Sequence, residues 1–254
     1  MSDKILIPTF VEAQQFEKIE INGVEKALRE CLKAKCEPVY MPQLVDARII
    51  SSRDSSVWKW YTTPSIQVTG KTKQGNPVVV YAHVPNYFSK PDNIAKAVSN
   101  GLMNGAGIMP PTEFYTLLDL EDKEKIFVVD YDALKKSKCG VIDVAEALEH
   151  PQTIPFLSGQ ARAEQYLQKH QQVYNNNRIG VWHNDDLADK PLGRVLFLGN
   201  YHNNYLYADY DLINYVGRFL GVRRGVGAEG IARKNHDLET VMKTIRGALE
   251  PLYK

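Results

Sequence analysis

Residues 194–223 read RVLFLGNYHNNYLYADYDLINYVGRFLGVR. Two apolar, β-prone runs, 194–198 and 217–223, frame a polar and aromatic run, and they predict two strands. Within 199–215, twelve of the seventeen residues are Asn, Tyr, His or Asp. Ordinary loops also use Gly, Ser, Pro, Lys and Glu, because turn geometry and solubility require them. Loop propensity therefore does not account for this composition.

Asn, Tyr, His and Asp share a property of their codons: adenine in the middle, a pyrimidine last, and a variable first base. Replacement of the first adenine of an Asn codon gives the other three residues. Replacement of the second adenine as well gives small or aliphatic residues, which would include Leu206, Ala208 and Ile213. The composition thus indicates targeted replacement of adenines. Two simpler interpretations stay open: a low-complexity, association-prone segment, and a loop whose tyrosines cover the core.

The sequence resembles the variable proteins of diversity-generating retroelements with a C-type lectin fold, a fold similar to that of formylglycine-generating enzymes. The residues that carry the resemblance are GVWHNDD (180–186), GRVLFLGN (193–200) and GRFLGVR (217–223). In that family an error-prone reverse transcriptase replaces adenines of a template copy. The resemblance implies an α+β, C-type lectin-like fold with a mixed or antiparallel sheet, flanking helices and a variable surface near the C-terminus, within 178–223. The Glu-Pro-Asn cluster of calcium-dependent, sugar-binding lectins is absent from the sequence.

The side chains of the segment suit recognition. Tyr and Trp supply large, rigid contact surfaces, and Asn, Asp and His add adaptable hydrogen bonds, as in antibody binding loops. We expect two constant strands to hold them, with Leu196, Leu198, Phe219 and Val222 among the core residues. The predicted ligand-binding residues are Trp182, His183, Asn184, Tyr201, His202, Asn203, Asn204, Tyr205, Tyr207, Asp209, Tyr210, Asp211, Asn214 and Tyr215. The expected ligand is a protein or a cell-surface target, with no cofactor and no metal.

Charge and hydropathy exclude several other classes of protein. The 31 Lys and Arg residues nearly balance the 30 Asp and Glu residues, so no overall field favours nucleic acid or an anionic membrane. No apolar run approaches the ~20 residues that a membrane span requires, and the first residues, MSDKILIPTF, lack the pattern of a signal peptide. We expect a cytoplasmic protein, with a virus particle or the cell surface as alternative destinations.

No motif in the sequence predicts an enzyme. GVGAEG at 225–230 lacks the strand and helix context of a phosphate-binding loop. No histidine is placed by sequence as a base for Cys139, which we interpret as a small loop or strand-start residue. His183, Asp185 and Asp186 have the chemistry of metal ligands, but their spacing is typical of a solvated loop. An enzyme of the formylglycine-generating type of fold and a structural protein that self-associates through its tyrosines are the alternatives to ligand binding.

The rest of the chain reads as mixed helix and strand. Cys31 continues the apolar face of a predicted helix, and with three cysteines a disulfide framework is not expected. Hydrophobic periodicity predicts helices at 23–35, 92–98, 110–118, 158–174 with Ser158 as its cap, and 236–254, strands at 4–10 and 125–130, and a hairpin at 65–84. One compact unit over 1–254 is expected. The alternative is a separate N-terminal region, 1–100, followed by a lectin-like domain, 101–254.

Overall fold

A computed structural model of the chain describes residues 5–6, 12–199, 205–208, 212 and 216–223. The strands in these residues are β1 Ile5–Leu6, β2 Glu12–Ile19, β3 Cys36–Pro38, β4 Tyr61–Lys71, β5 Pro77–Ala82, β6 Gly107–Ile108, β7 Ile126–Asp130, β8 Gly140–Asp143, β9 Arg178–His183, β10 Leu192–Leu198, β11 Tyr205–Ala208 and β12 Val216–Arg223. The helices are α1 Gly23–Lys33, α2 Met41–Ile50, α3 Pro91–Ser99, α4 Pro111–Asp119, α5 Tyr131–Lys136, α6 Val144–Glu149, α7 Thr153–Phe156 and α8 Gln160–Tyr174. Short 3₁₀ turns occur at Ser56–Trp58 and Tyr87–Ser89.

The larger of two sheets has the strand order β7-β5-β4-β10-β11-β9-β8, and β6 pairs with β10. β11 and β9 run parallel, while the other neighbours are antiparallel. The predicted hairpin is confirmed, because β4 and β5 pair from Ile66↔Ala82 to Lys71↔Pro77. Gly75 in its turn has a φ of 89°, a left-handed conformation that glycine adopts without strain. The α+β class with a mixed sheet is confirmed.

The smaller sheet has the order β1-β2-β12-β3, with β12 antiparallel to both neighbours. Both strands predicted from 194–198 and 217–223 therefore exist, as β10 and β12, but they belong to different sheets. The backbone N–H of Arg218 in β12 donates to Thr62 Oγ1 in β4 at 3.4 Å, so the two sheets touch. The polar and aromatic run thus begins in the large sheet, adds β11 to it, and leads into the small sheet.

The large sheet separates two cores. Val79 and Tyr81 of β5 point into the first core, whereas Val80 and Ala82 point into the second, as the alternation of a strand requires. Residues of α2 and of α5 to α8 fill the first core against β10 and β11. Residues of α1, α3 and α4 fill the second, together with Phe219 of β12. Of the predicted core residues, Leu196, Leu198 and Phe219 are fully buried and Val222 is half-buried against the first core.

The predicted helices at 23–35, 92–98, 110–118 and 158–174 are confirmed as α1, α3, α4 and α8, and the strand at 125–130 as β7. In α1 the predicted apolar face is fully buried, including Cys31. Within the described residues no cysteine forms a disulfide bond. The predicted strand at 4–10 is described only as β1, Ile5–Leu6. The predicted helix at 236–254 and the GVGAEG stretch lie outside the described residues.

The prediction that Ser158 caps α8 is wrong. The chain enters this helix through two residues with positive φ, 62° at Ser158 and 116° at Gly159, and Gly159 is the N-cap. The turn directs the Ser158 side chain away from the first turn of the helix, and its hydroxyl donates to the backbone carbonyl of Glu124 at 2.5 Å. A serine in front of an apolar pattern often marks the start of a helix. The sequence does not show, however, that positive φ angles turn the side chain of Ser158 away from α8.

Strands from before and after residue 100 share both sheets: β4 and β5 pair with β10 and β7, and β2 and β3 pair with β12. Each sheet would therefore be divided if the chain were cut at this position. One compact unit over 1–254 stays a prediction, and this pairing favours it.

Candidate functional site

β11 divides the polar and aromatic run into two faces. Tyr205 and Tyr207 are half-buried, whereas Leu206 and Ala208 between and after them are fully buried. Consecutive side chains of a strand point to opposite faces, so the tyrosines share the outer face of the sheet. The register places Tyr207 beside Phe197 of β10 on one side and Trp182 of β9 on the other.

These rings form one continuous cluster, in which Phe197 is buried and the other four are half-buried. We call it the aromatic platform: Trp60, Trp182, Phe197, Tyr205 and Tyr207. Tyr207 contacts the rings of Tyr205, Phe197 and Trp182, with centroid distances of 5.1, 5.3 and 6.5 Å. Trp182 contacts Tyr205 at 6.1 Å, and Phe197 stacks on Trp60 at 5.4 Å. Offset and edge-to-face rings at these distances attract one another, so the platform is a packed surface rather than a set of separate side chains.

The small sheet meets the platform at Trp60. The guanidinium carbon of Arg218 lies 4.0 Å from the centroid of the Trp60 ring, within the range of a cation–π contact. Arg218 also forms an ion pair with Glu17 of β2. These contacts fix one edge of the platform to the strand that ends the variable segment.

Gly180 makes room for Tyr205 at the opposite edge. The two residues are partners in the register of β9 and β11. A Cβ atom on Gly180 would lie only 1.9 Å from Cδ1 and 2.5 Å from Cε1 of the Tyr205 ring. Only glycine allows this approach, so the backbone of β9 is the floor under position 205.

A buried arginine fixes the backbone where the polar and aromatic run begins. Arg48 of α2 is fully buried, and its Nη2 donates to the carbonyls of Gly199 and Lys59, each at 2.7 Å. Its Nη1 donates to the hydroxyl of Tyr166 at 3.0 Å. Bonds from a buried charged donor are stronger than neutral ones, so Gly199 is fixed where the polar and aromatic run leaves β10.

The loop that follows β9, predicted as a solvated loop, is partly exposed and is held in place by hydrogen bonds. Asn184 accepts the backbone N–H of Asp186 through its side chain at 2.8 Å. Asp186 pairs with Arg194, a residue only 1% exposed, at 2.7 Å. Tyr131 donates its hydroxyl to the carbonyl of Asp185 at 2.8 Å. In the part of the chain that the structure describes, no group of three or more His, Cys, Asp or Glu side chains is arranged to hold a metal ion.

His183 points away from the platform, because it follows Trp182 in the strand. Its Nδ1 lies 3.3 Å from Sγ of Cys139, and its backbone N–H donates to the same sulfur at 3.4 Å. The expectation that no histidine is placed as a base for Cys139 is therefore wrong. Antiparallel pairing of β8 and β9 brings the two residues together across 44 positions of sequence, which spacing alone does not reveal. The interpretation of Cys139 as a residue at the start of a strand holds, since β8 begins at Gly140.

The structure brings three of the predicted binding residues together on the platform: Trp182, Tyr205 and Tyr207. It places His183 on the reverse face and Asn184 in the loop. The remaining predicted binding residues lie outside the described residues: Tyr201, His202, Asn203, Asn204, Asp209, Tyr210, Asp211, Asn214 and Tyr215. Sequence reasoning missed Phe197, although its alternation with Leu196 and Leu198 in RVLFL was a usable signal, and it missed Trp60, which has no local signal.

No helix within the described residues combines the length and the apolar character needed to cross a bilayer. Neither a protein-family model nor a curated protein matches the sequence. A solved structure that concerns the accommodation of massive sequence variation in Nanoarchaeota by the C-type lectin fold is 52% identical to this chain, with a TM-score of 0.78. The match covers 84% of this chain and 98% of that one. Together with the framed run and the platform, this identity confirms the fold implied by the resemblance, and the chain belongs to the variable proteins of diversity-generating retroelements that are built on the C-type lectin fold.

Proposed function

We propose that this protein is a non-enzymatic ligand-binding protein whose binding face consists of the aromatic platform and the diversified residues of 201–215. We further propose that its ligand is a protein or a cell-surface target. The observation that carries the proposal is the division of β11: the outward side chains, Tyr205 and Tyr207, are half-exposed, and the inward ones, Leu206 and Ala208, are fully buried. The outward positions can change with little effect on the core.

The chemistry of the platform suits a protein surface. Trp and Tyr are the residues most enriched among binding hot spots, because each buries a large area at a small cost in side-chain entropy. Here the rings are already packed against one another, so less freedom is lost when a partner covers them. The floor of the platform, formed by Trp60, Phe197 and Gly180, lies outside the run of Asn, Tyr, His and Asp. It therefore offers the same base to every variant of that run.

A pair of display libraries tests the proposal. The first randomises the Asn, Tyr, His and Asp positions between 201 and 215 with the residues reachable from an Asn codon, and it is selected against lysozyme as a soluble protein probe. The matched library randomises exposed positions of α8, such as Gln160, Glu164 and Gln168. We expect both libraries to stay folded and the first alone to yield binders, whose affinity falls at least tenfold on Trp182→Ala.

A third library, placed across β10 and β12, is expected to collapse, because most substitutions of buried residues cost more than about 1 kcal/mol each. The proposal is wrong if the first library collapses as the third does, or if it yields no more binders than the α8 library. Size-exclusion chromatography of the unmodified chain separates binding from the structural alternative. An oligomer that dissociates on Tyr207→Ser would favour self-association.

A further inference from the structure

The contacts of Cys139 are those of a nucleophilic thiol. Its sulfur lies 3.3 Å from Nδ1 of His183 and accepts the backbone N–H of His183 at 3.4 Å. The first contact provides a base for the thiol proton, and the second stabilises the sulfur once it is negatively charged. Cys139 is half-buried, at the start of the edge strand β8, so a small molecule can reach it.

His183 is oriented for the role of base. Nδ1 is the ring nitrogen nearer to the sulfur, at 3.3 Å, against 3.8 Å for Nε2. A neutral imidazole carries its proton on one nitrogen only, so the tautomer with the proton on Nε2 directs the lone pair of Nδ1 toward the sulfur. Burial lowers the pKa of His183, against the raising effects of Asp185 and of the Leu134 carbonyl, which keeps the ring neutral near pH 7. A thiol and a neutral base are therefore in contact.

A buried tyrosine lies within the electrostatic influence of Cys139. The hydroxyl of Tyr81 is fully buried and has no hydrogen-bond partner in the described residues. Burial, and then the negative charge of Cys139, raise the pKa of Tyr81, so its hydroxyl stays protonated.

The other two cysteines provide an internal contrast. Cys31 and Cys36 are fully buried and pack with Phe16. Burial raises the pKa of Cys31 to about 12 and also raises the pKa of Cys36. Both thiols therefore stay protonated and shielded, whereas Cys139 is partly exposed and contacts a base.

We propose that Cys139 is a peroxide-reactive thiol that is oxidised to a sulfenic acid, with His183 as its base. Nδ1 of His183 takes the thiol proton, and the sulfur attacks one oxygen of hydrogen peroxide. The S–O bond forms as the O–O bond breaks, and the leaving hydroxide takes the proton from His183 to become water. Cys139 loses two electrons and the peroxide gains them, so the reaction gives one sulfenic acid and one water.

The test treats the full chain with hydrogen peroxide and a dimedone-type trap for sulfenic acids, and mass spectrometry reads the label at each cysteine. We expect Cys139 to be labelled at least ten times faster than Cys31 or Cys36. We also expect His183→Gln to slow the labelling of Cys139 at least tenfold, and Cys139→Ser to remove the label without a change in circular dichroism.

The unfolded chain is the control that does not depend on a variant. In urea, where all three thiols are exposed, Cys139 should react more slowly than in the folded protein, whereas Cys31 and Cys36 should react faster. Equal or faster labelling of Cys139 in the unfolded chain would overturn the proposal. An unchanged rate in a folded His183→Gln variant would overturn the role of the base.

Discussion

Gly180 provides a sharp test of how the platform is built. A methyl group at this position would lie 1.9 Å from Cδ1 of Tyr205, about 2 Å closer than the separation at which carbon atoms attract one another. The ring must move, and overpacking of this kind costs about 1–3 kcal/mol. Alanine also restricts the unfolded chain more than glycine does, which returns about 0.4–1 kcal/mol. We expect Gly180→Ala to lower the free energy of unfolding by about 1–2 kcal/mol.

A double-mutant cycle isolates the contact with the ring. With serine at position 205 the methyl group meets no ring, so Gly180→Ala should become neutral or slightly stabilising. The coupling energy between Gly180→Ala and Tyr205→Ser should then be about 1.5 kcal/mol, within the range measured for residues in contact. Urea denaturation of the four proteins, followed by fluorescence, measures it.

Tyr207→Ser is the matched control, because Tyr207 shares the strand and the face of Tyr205 but is not among the three nearest atoms of a Gly180 methyl group. Its coupling to Gly180→Ala should stay below about 0.5 kcal/mol. If Gly180→Ala costs the same with tyrosine and with serine at position 205, the ring does not rest on Gly180 and the reasoning fails.

Other changes have outcomes that follow from burial. Phe219→Ala should lower the free energy of unfolding by about 3–5 kcal/mol, since this ring is fully buried, whereas Tyr205→Ala should lower it by about 1 kcal/mol. Equal shifts in the urea midpoint would contradict the division into buried scaffold residues and outward-facing residues. Arg48→Lys should lower the free energy of unfolding by about 2–4 kcal/mol and speed amide exchange near Gly199, because lysine cannot reach all the carbonyls that Arg48 bonds. Unchanged amide exchange would argue against the anchoring role of Arg48. Burial lowers the pKa of His83, His150 and His170 to about 4, so the unfolded chain takes up protons that the folded one excludes. Stability present above about pH 6.5 should therefore fall by pH 4, by roughly 3 kcal/mol for His83 and further for the other two histidines. Urea midpoints between pH 7 and pH 4 measure this loss, and a constant midpoint would contradict it.

The fold was predictable where a local pattern determines it. Regular spacing of apolar residues predicted the hairpin, α1 and the strands on either side of the polar run, and the structure contains all of them. The sequence does not show that β10 and β12 lie in different sheets, because the same apolar pattern fits either sheet. The predicted cap of α8 was wrong for a related reason. The order of polar and apolar residues does not show that Ser158 has a positive φ.

The candidate site was predictable only in part. Composition identified Tyr205 and Tyr207, because four residue types in one run are unusual. Trp60 joins the platform through a contact with Phe197 that spans more than a hundred residues, and such contacts arise from strand pairing, not from local propensity. The pair of Cys139 and His183 is of the same kind.

Burial also explains the apolar residues that occur within the polar and aromatic run. Leu206, Ala208 and Leu212 interrupt the run of Asn, Tyr, His and Asp, and all three are fully buried. Codon replacement at both adenines would explain all three residues, but so does their burial in the core. If the template repeat encoded asparagine at 206, most copies would place a polar side chain in the core. The lost packing and the unsatisfied amide would together cost about 4 kcal/mol or more, against a total stability of ~5–15 kcal/mol.

A diversifying system that keeps its products folded should therefore avoid adenine at those codons. We expect the template repeat to lack adenine in the first two bases of codons 206, 208 and 212, and to carry it at codons 205 and 207. Sequencing of the repeat beside the reverse transcriptase gene decides this. If codon 206 begins with two adenines, diversification reaches into the core, and the separation of a constant inner face from a variable outer face in β11 is wrong. If adenines occur only at the outward positions, their placement in the DNA follows the alternation of side chains along β11. Each base change then alters an outward-facing side chain and leaves the buried side chains of the core unchanged.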